Sequence, residues 1–169
     1  MNLAELNQQS EKDADLLFMQ CCTSVQWVKK MTSARPYSDM SSLKDTADDI
    51  WKILEESDFL QAFEGHPKIG DVNSLRNKYS NTKKLASGEQ GLVSEASEQV
   101  ILDLSSGNEE YSKKFGFIFI VCATGKSAVE MLDLLQQRLP NNRNAELANA
   151  SEEQRKIFQI RLNKLIEIK

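Results

Sequence analysis

The chain uses a single histidine in 169 residues, and it stands in "FEGHPKIGD" between Gly65 and Pro67. Imidazole exchanges a proton near neutral pH without help from its surroundings, so a lone histidine is a candidate general acid or base. Its neighbours make the placement specific. A glycine just past a helix end is expected to take the left-handed conformation that closes the last turn. The proline that follows prevents the helix from restarting and drives His66 into extended backbone. The imidazole is thereby mounted on a stiff exit from a helix. Two roles fit this mount: capping of the preceding helix at its C-terminal carbonyls, or proton transfer to a bound molecule.

Two charged residues raise related questions. In "KIFQIRLNKLIEI", Arg161 shares the helical period of Ile157, Leu165 and Ile168, which places it in an apolar stripe. A buried guanidinium is costly without an anion. The anion is either a protein carboxylate or the carboxylate of a ligand, unless the stripe is slightly displaced and the side chain reaches water. In "ASGEQGLV" (residues 86–93), Glu89 and Gln90 lie in a small, polar, glycine-flanked segment at an expected helix start. A carboxylate there is favourable to the helix dipole, whether or not it also meets a ligand. "ATGKS" (residues 123–127) resembles the end of a phosphate-binding loop but fails as one. That loop needs a glycine where this chain has Ile120, and Ser127 with Glu130 instead forms a capping box.

The elements that must position these residues are mostly helical. Only three prolines and seven glycines interrupt the chain. Ser10 is the expected N-cap of "SEKDADLLFMQCC", and "SVQWVKKM" continues as a short helix. "SLKDTADDIWKILEE" places Leu43, Ala47, Ile50 and Leu54 at helical spacing, with Ser42 and Asp45 as a capping pair. "SDFLQAFEG" is a short helix ending at Gly65. Over residues 96–115, Ile101, Leu104, Tyr111 and Phe115 share one stripe, with Asn108 inside it. "FGFIFIVCA" is the only strand-like run. A lone strand makes no sheet, so it is expected as a buried extended or helical passage. "SAVEMLDLLQQRL" is amphipathic and stops at Pro140, and a long helix fills residues 144–168. The expected fold is all-α: a single domain over 1–169 of about eight helices.

Composition narrows the function. A net charge of −4 and a pI near 5.2 argue against a nucleic-acid binder, though not against a small anionic substrate. Cys21, Cys22 and Cys122 form no disulfide framework, and with one histidine there is no zinc cluster; no metal is expected. A reducing compartment follows. No apolar run approaches a membrane span, the N-terminal residues lack the pattern of a signal peptide, and "LIEIK" is no peroxisomal signal. The expected location is the cytoplasm.

Together, "RPY", "AFEGHPKIGD", "SGEQ", "GNEEYSKKFGFIFIVCATGKSAVEML", "RLPNN" and "KIFQIRLNKL" resemble the 2-oxo-4-hydroxy-4-carboxy-5-ureidoimidazoline (OHCU) decarboxylases over nearly the whole chain. The resemblance implies a helical homodimer without metal or organic cofactor. It implies stereoselective decarboxylation of that ureidoimidazoline to (S)-allantoin, the last step of urate oxidation. His66, Glu89 and Arg161 are the implied catalytic residues. Substrate contacts are implied for Pro67, for Ala86, Ser87, Gly88 and Gln90, and for Phe119, Ile120, Val121, Cys122 and Ala123, the last five largely through the backbone. Many members carry a serine where this chain has Ala86. The alternative from another class is an inert helical interaction module of the same fold.

Overall fold

The computed structural model describes residues 1–67, 70–85 and 92–166, with the backbone alone for 80–85 and 92–97. Among these residues there are nine helices and no strand: α1 (Leu3–Gln8), α2 (Glu11–Met19), α3 (Val25–Ser33), α4 (Met40–Lys52), α5 (Glu56–Glu64), α6 (Val72–Leu85), α7 (Leu92–Phe115), α8 (Ala128–Arg138) and α9 (Arg143–Leu165). The all-α expectation holds. α1, started by an Asn2–Glu5 capping box, adds a helix that the sequence reading did not separate. α6 turns the "VNSLRNKYSNTKK" stretch into a helix. No helix among the described residues is long and apolar enough to cross a membrane. The chain divides into two units, Met1–His66 with Ser151–Lys169, and Pro67–Ala150.

In the first unit, local caps set where helices start. Ser10, Ser24 and Asp39 each accept a backbone N–H from the first turn that follows. Such caps contribute about 1 kcal/mol each. Asp39, not Ser42, starts α4: its carboxylate accepts the Ser42 N–H at 2.7 Å, so Ser42 lies inside the first turn. α2 packs on α3 and α3 on α4, and α9 lays Phe158, Leu162 and Ile166 into the same core. Trp27 meets Phe158 at 5.0 Å between ring centroids and Trp51 meets it at 5.7 Å. Both indole N–H groups are satisfied by carbonyls, those of Ala47 (3.2 Å) and Ser151 (3.1 Å). The aromatic anchors therefore bury their rings without orphaning a donor.

The second unit is built on α7. Ile101, Leu104, Tyr111 and Phe115 are all buried, as their spacing predicts. Asn108 within the stripe donates to the Leu104 carbonyl one turn back (2.8 Å). Gly107 lets α8 approach, since a Cβ there would lie 2.6 Å from Leu135 Cδ2. α7 stops at Gly116, whose φ of +80° closes the helix with its N–H on the Ser112 carbonyl. The chain then runs through residues 117–123 without regular structure, burying Phe117, Ile120 and Cys122. The Ser127–Glu130 capping box then opens α8.

Gly65 departs from expectation. It ends α5 in right-handed geometry (φ −72°), so it is not there to supply a left-handed turn. It is there for space: a Cβ would lie 2.1 Å from Thr23 Oγ1 and 2.5 Å from Thr23 Cγ2. The Thr23 hydroxyl is held in that position by the carbonyls of Gln61 (3.1 Å) and Ala62 (3.3 Å). At an unstrained position Gly→Ala stabilises by about 0.4–1 kcal/mol. Here the steric conflict reverses the sign, and Gly65→Ala is expected to cost about 1–3 kcal/mol, read as a lower urea midpoint at unchanged slope. A midpoint at or above wild type would show that Thr23 yields freely.

Candidate active site

His66 closes the first unit's N-terminal segment. Its backbone N–H returns to the Phe63 carbonyl (3.1 Å), finishing α5, but its ring does not cap that helix. The half-buried imidazole reaches α9 instead, where Nε2 meets Gln154 Oε1 at 2.5 Å. Gln154 is completely buried. The capping role that the sequence left open for His66 is thus carried by its backbone, and its side chain is free for other use.

Arg161 lies seven residues beyond Gln154 on the same helix, close to two turns and about 10 Å along the axis. Their face also carries Phe158, buried against the two tryptophans. The apolar stripe of α9 is displaced by one residue from the sequence expectation: Phe158, Leu162 and Ile166 are buried, whereas Ile157, Arg161 and Leu165 are only partly so. Arg161 therefore sits on the margin of the core. Its Nη1 donates to the Cys21 carbonyl (3.2 Å), and among the described residues no carboxylate pairs with it. One guanidinium edge is fixed to the backbone while the positive charge stays uncompensated by those residues.

The electrostatics of this corner favour a neutral imidazole. Burial lowers the pKa of His66 below its ordinary 6.5; the Gln154 hydrogen bond works against that shift, and the Arg161 charge adds to it. Burial also pushes the Cys21 and Cys22 thiols up to about 12, so neither is a thiolate at neutral pH. What this arrangement can do is hold a neutral, oriented base near a cation. Among the described residues no group of three or more His, Cys, Asp or Glu side chains is placed to hold a metal ion.

The other sequence candidates belong to the second unit or lie outside the described residues. Pro67 is exposed and opens the second unit. Glu89, with Ala86, Ser87, Gly88 and Gln90, lies outside the described residues. The 119–123 run belongs to the second unit, where a buried polar cluster holds it. Arg138 Nε pairs with Glu146 Oε1 at 2.6 Å, and Nη1 donates to the Ile120 carbonyl at 2.5 Å. The Arg138 guanidinium stacks over the Phe119 ring, 4.7 Å from its centroid. Glu146 is fully buried and also accepts from Tyr111 (2.6 Å), Asn141 (2.9 Å) and Asn149 (2.8 Å). Burial alone would raise its pKa, but the hydrogen bonds from Asn141, Tyr111, Asn149 and Arg138 hold it below its usual value. Lys126 takes two further carbonyls of the run, Cys122 through Nζ (2.7 Å) and Ala123 through its backbone N–H (3.0 Å). Among the described residues, the N–H groups of 119–123 meet no acceptor.

Sequence reasoning missed Gln154, Arg138 and Glu146. The signal for Gln154 was available: it is a polar residue two turns from Arg161 on a helix otherwise read for its apolar positions. Arg138 and Glu146 read as ordinary surface charges at a helix end and a helix start. Only their pairing at a distance of eight residues across the Pro140 turn reveals the cluster.

These features describe a helical protein whose first unit sets an imidazole against a buried amide of α9, with a guanidinium further along the same helix. Residues 7–163 match the family of OHCU decarboxylases, and the chain belongs to that family. It is 35% identical over 150 residues to the uric acid degradation bifunctional protein TTL of Arabidopsis thaliana, a match covering 88% of this chain and 46% of that protein. It is 28% identical over 166 residues to the uric acid degradation bifunctional protein of Bacillus sp. strain TB-90, covering 98% of this chain and 32% of that one. The chain thus spans less than half the length of these two relatives. A crystal structure of an OHCU decarboxylase in the presence of (S)-allantoin superposes with a TM-score of 0.70 at 32% identity, covering 93% of this chain and 98% of that chain.

Two outcomes check the electrostatics. The lone histidine should titrate by NMR with a midpoint below 6.5; a midpoint at or above that value would contradict a desolvated ring. Glu146→Gln leaves a buried guanidinium without its counter-charge and is expected to cost about 3–5 kcal/mol in chemical denaturation. A loss under about 1 kcal/mol, the level of an exposed pair, would show the cluster to be solvated.

Proposed function

We propose that the chain catalyses decarboxylation of 2-oxo-4-hydroxy-4-carboxy-5-ureidoimidazoline to (S)-allantoin. The observation that carries the reading is the half-buried His66 imidazole held on Gln154 of α9, the helix that also carries Arg161, in a chain of the OHCU decarboxylase family. The substrate's ring carbon 4 bears both a carboxylate and a hydroxyl, and its ring C=N lies at carbon 5. When the bond to the carboxylate breaks, carbon dioxide leaves and its electron pair forms a double bond between carbons 4 and 5. The C=N electrons move to the ring nitrogen, which takes one proton from solvent. Moving the 4-hydroxyl proton to carbon 5 then makes the ring carbonyl and sets the stereocentre. The substrate supplies its own electron sink, so the reading needs no metal or organic cofactor.

In this scheme His66 transfers the proton and Arg161 anchors an electronegative edge of the substrate. Glu89 orients the hydroxyl or ureido group. Recognition falls to Pro67, to Ala86, Ser87, Gly88 and Gln90, and to the backbone of 119–123. The carbonyls of Ile120, Cys122 and Ala123 are already taken by Arg138 and Lys126, which leaves that run offering N–H donors to substrate carbonyls. Preorganised donors of this kind cost no reorganisation during reaction. The family reading carries with it a homodimer working in the cytoplasm.

The test is to add the protein to freshly prepared substrate and follow optical activity. Fast appearance of (S)-allantoin is expected, and racemic product at the spontaneous rate would end the proposal in favour of an inert module. His66→Asn should lower kcat by about 10²–10⁴-fold with the helical circular dichroism unchanged. Glu89→Gln and Arg161→Met should each reduce kcat/KM by at least about tenfold, the effect of losing roughly 1.4 kcal/mol of transition-state stabilisation. A variant with wild-type kinetics would remove its residue from the site.

A further inference from the structure

We propose that Gln154 is a positioning residue: it fixes the neutral imidazole of His66 in the Nε2–H form and leaves Nδ1 as the atom that exchanges protons with the substrate. The proposal rests on the decarboxylase reading for its chemistry, but its core is a statement about one hydrogen bond. The atom facing His66 Nε2 is an amide oxygen, 2.5 Å away. A carbonyl oxygen can only accept, so the ring nitrogen must donate. In a neutral imidazole the other nitrogen then carries the lone pair.

Burial makes this assignment rigid. Gln154 has no solvent exposure, so water does not compete for its oxygen. Its Nε2 is buried without a hydrogen-bond partner among the described residues. Apart from the ring, nothing among those residues holds the amide, and the imidazole is the polar group around which it is oriented. The uncharged partner also matters. A carboxylate in the same place would stabilise the imidazolium and keep the ring protonated to a higher pH, as carboxylate partners do when they orient a histidine. An amide orients the ring without adding a negative charge. The charged group acting on His66 is Arg161, which opposes protonation as well. The resting ring is therefore a neutral base with one defined acceptor atom.

In the reaction, the Nδ1 lone pair takes the proton of the substrate's 4-hydroxyl, giving a transient imidazolium and the ring carbonyl. The same proton then passes from Nδ1 to carbon 5 and restores the neutral imidazole. The proton leaves one oxygen, reaches one carbon, and the histidine ends unchanged.

Because the chain has one histidine, its two ring nitrogens can be read without ambiguity in uniformly 15N-labelled full-length protein. Two-bond 1H–15N correlation above the imidazole titration should show the Nε2–H tautomer. Gln154→Leu should abolish that preference, giving mixed or Nδ1–H tautomer. It should lower kcat at least about tenfold, within the range of lost acid–base catalysis, while KM changes less than about threefold. Gln154→Glu keeps an acceptor and should retain the Nε2–H tautomer. An Nδ1–H tautomer in the wild type, as a 180° turn of the Gln154 amide would impose, overturns the proposal. So does a Gln154→Leu protein that keeps both tautomer and kcat. If Gln154→Leu does not fold, the wild-type and Gln154→Glu tautomers decide. The tautomer is measured without substrate, so a protein with the Nε2–H form but no decarboxylase activity would refute the functional reading and not the geometry.

Discussion

One hydrogen bond ties the lone histidine of this chain to the core of the first unit. Gln154 presents its oxygen to His66 from inside the core of the first unit, on a helix whose next turn carries Phe158 against Trp27 and Trp51. Burying a primary amide costs free energy unless its groups are paired. One side of that amide is paired with the imidazole; the other is not, among the described residues. A buried residue that costs stability in this way and touches the lone histidine is better explained by the ring it orients than by packing. Placing the acceptor on α9, which is anchored by its aromatic contacts, gives the imidazole a rigid support.

The second unit solves a different problem by the same means. After α7 the chain runs without regular structure, and side chains rather than a sheet partner meet its carbonyls. Arg138 takes the Ile120 carbonyl, and Glu146 neutralises Arg138 while collecting donors from Tyr111, Asn141 and Asn149. Both lone pairs of each Glu146 oxygen are thereby well used, which is the condition under which a buried ion pair is tolerated. The consequence is a polar scaffold that holds an irregular segment by its carbonyls. An apolar core could fill the same volume, but it could not accept or donate to the backbone of that run.

Electrostatic sign links the residues of the first unit. Arg161 sits at the edge of the α9 stripe, with its Nη1 on the Cys21 carbonyl. Its charge raises the cost of protonating His66 and, in the proposed reaction, favours an anionic ligand. The neighbouring thiols stay protonated because burial outweighs the attraction of that same guanidinium. The corner contains one base and one cation, and no competing nucleophile among its described groups.

Much of this was legible along the chain. The stripe of α7, the Ser10 cap, the Ser127–Glu130 box and the passage through "FGFIFIVCA" follow from side-chain periodicity and capping chemistry, which act over a few residues. His66 stood out because it was alone and flanked by Gly65 and Pro67. What those neighbours do was decided elsewhere: Gly65 is demanded by the Thr23 side chain pressed against it, a contact 42 positions away in the chain, and not by its own dihedral angles. The α9 stripe slipped by one residue because the partners of Phe158 are two tryptophans whose positions only the packed unit defines. Local sequence thus determined which segments are helical and which side chains could carry protons. Tertiary structure alone decided what each polar group faces, since the partner of a buried donor or acceptor is set by whatever the fold brings within 3 Å, and that has no period in the sequence.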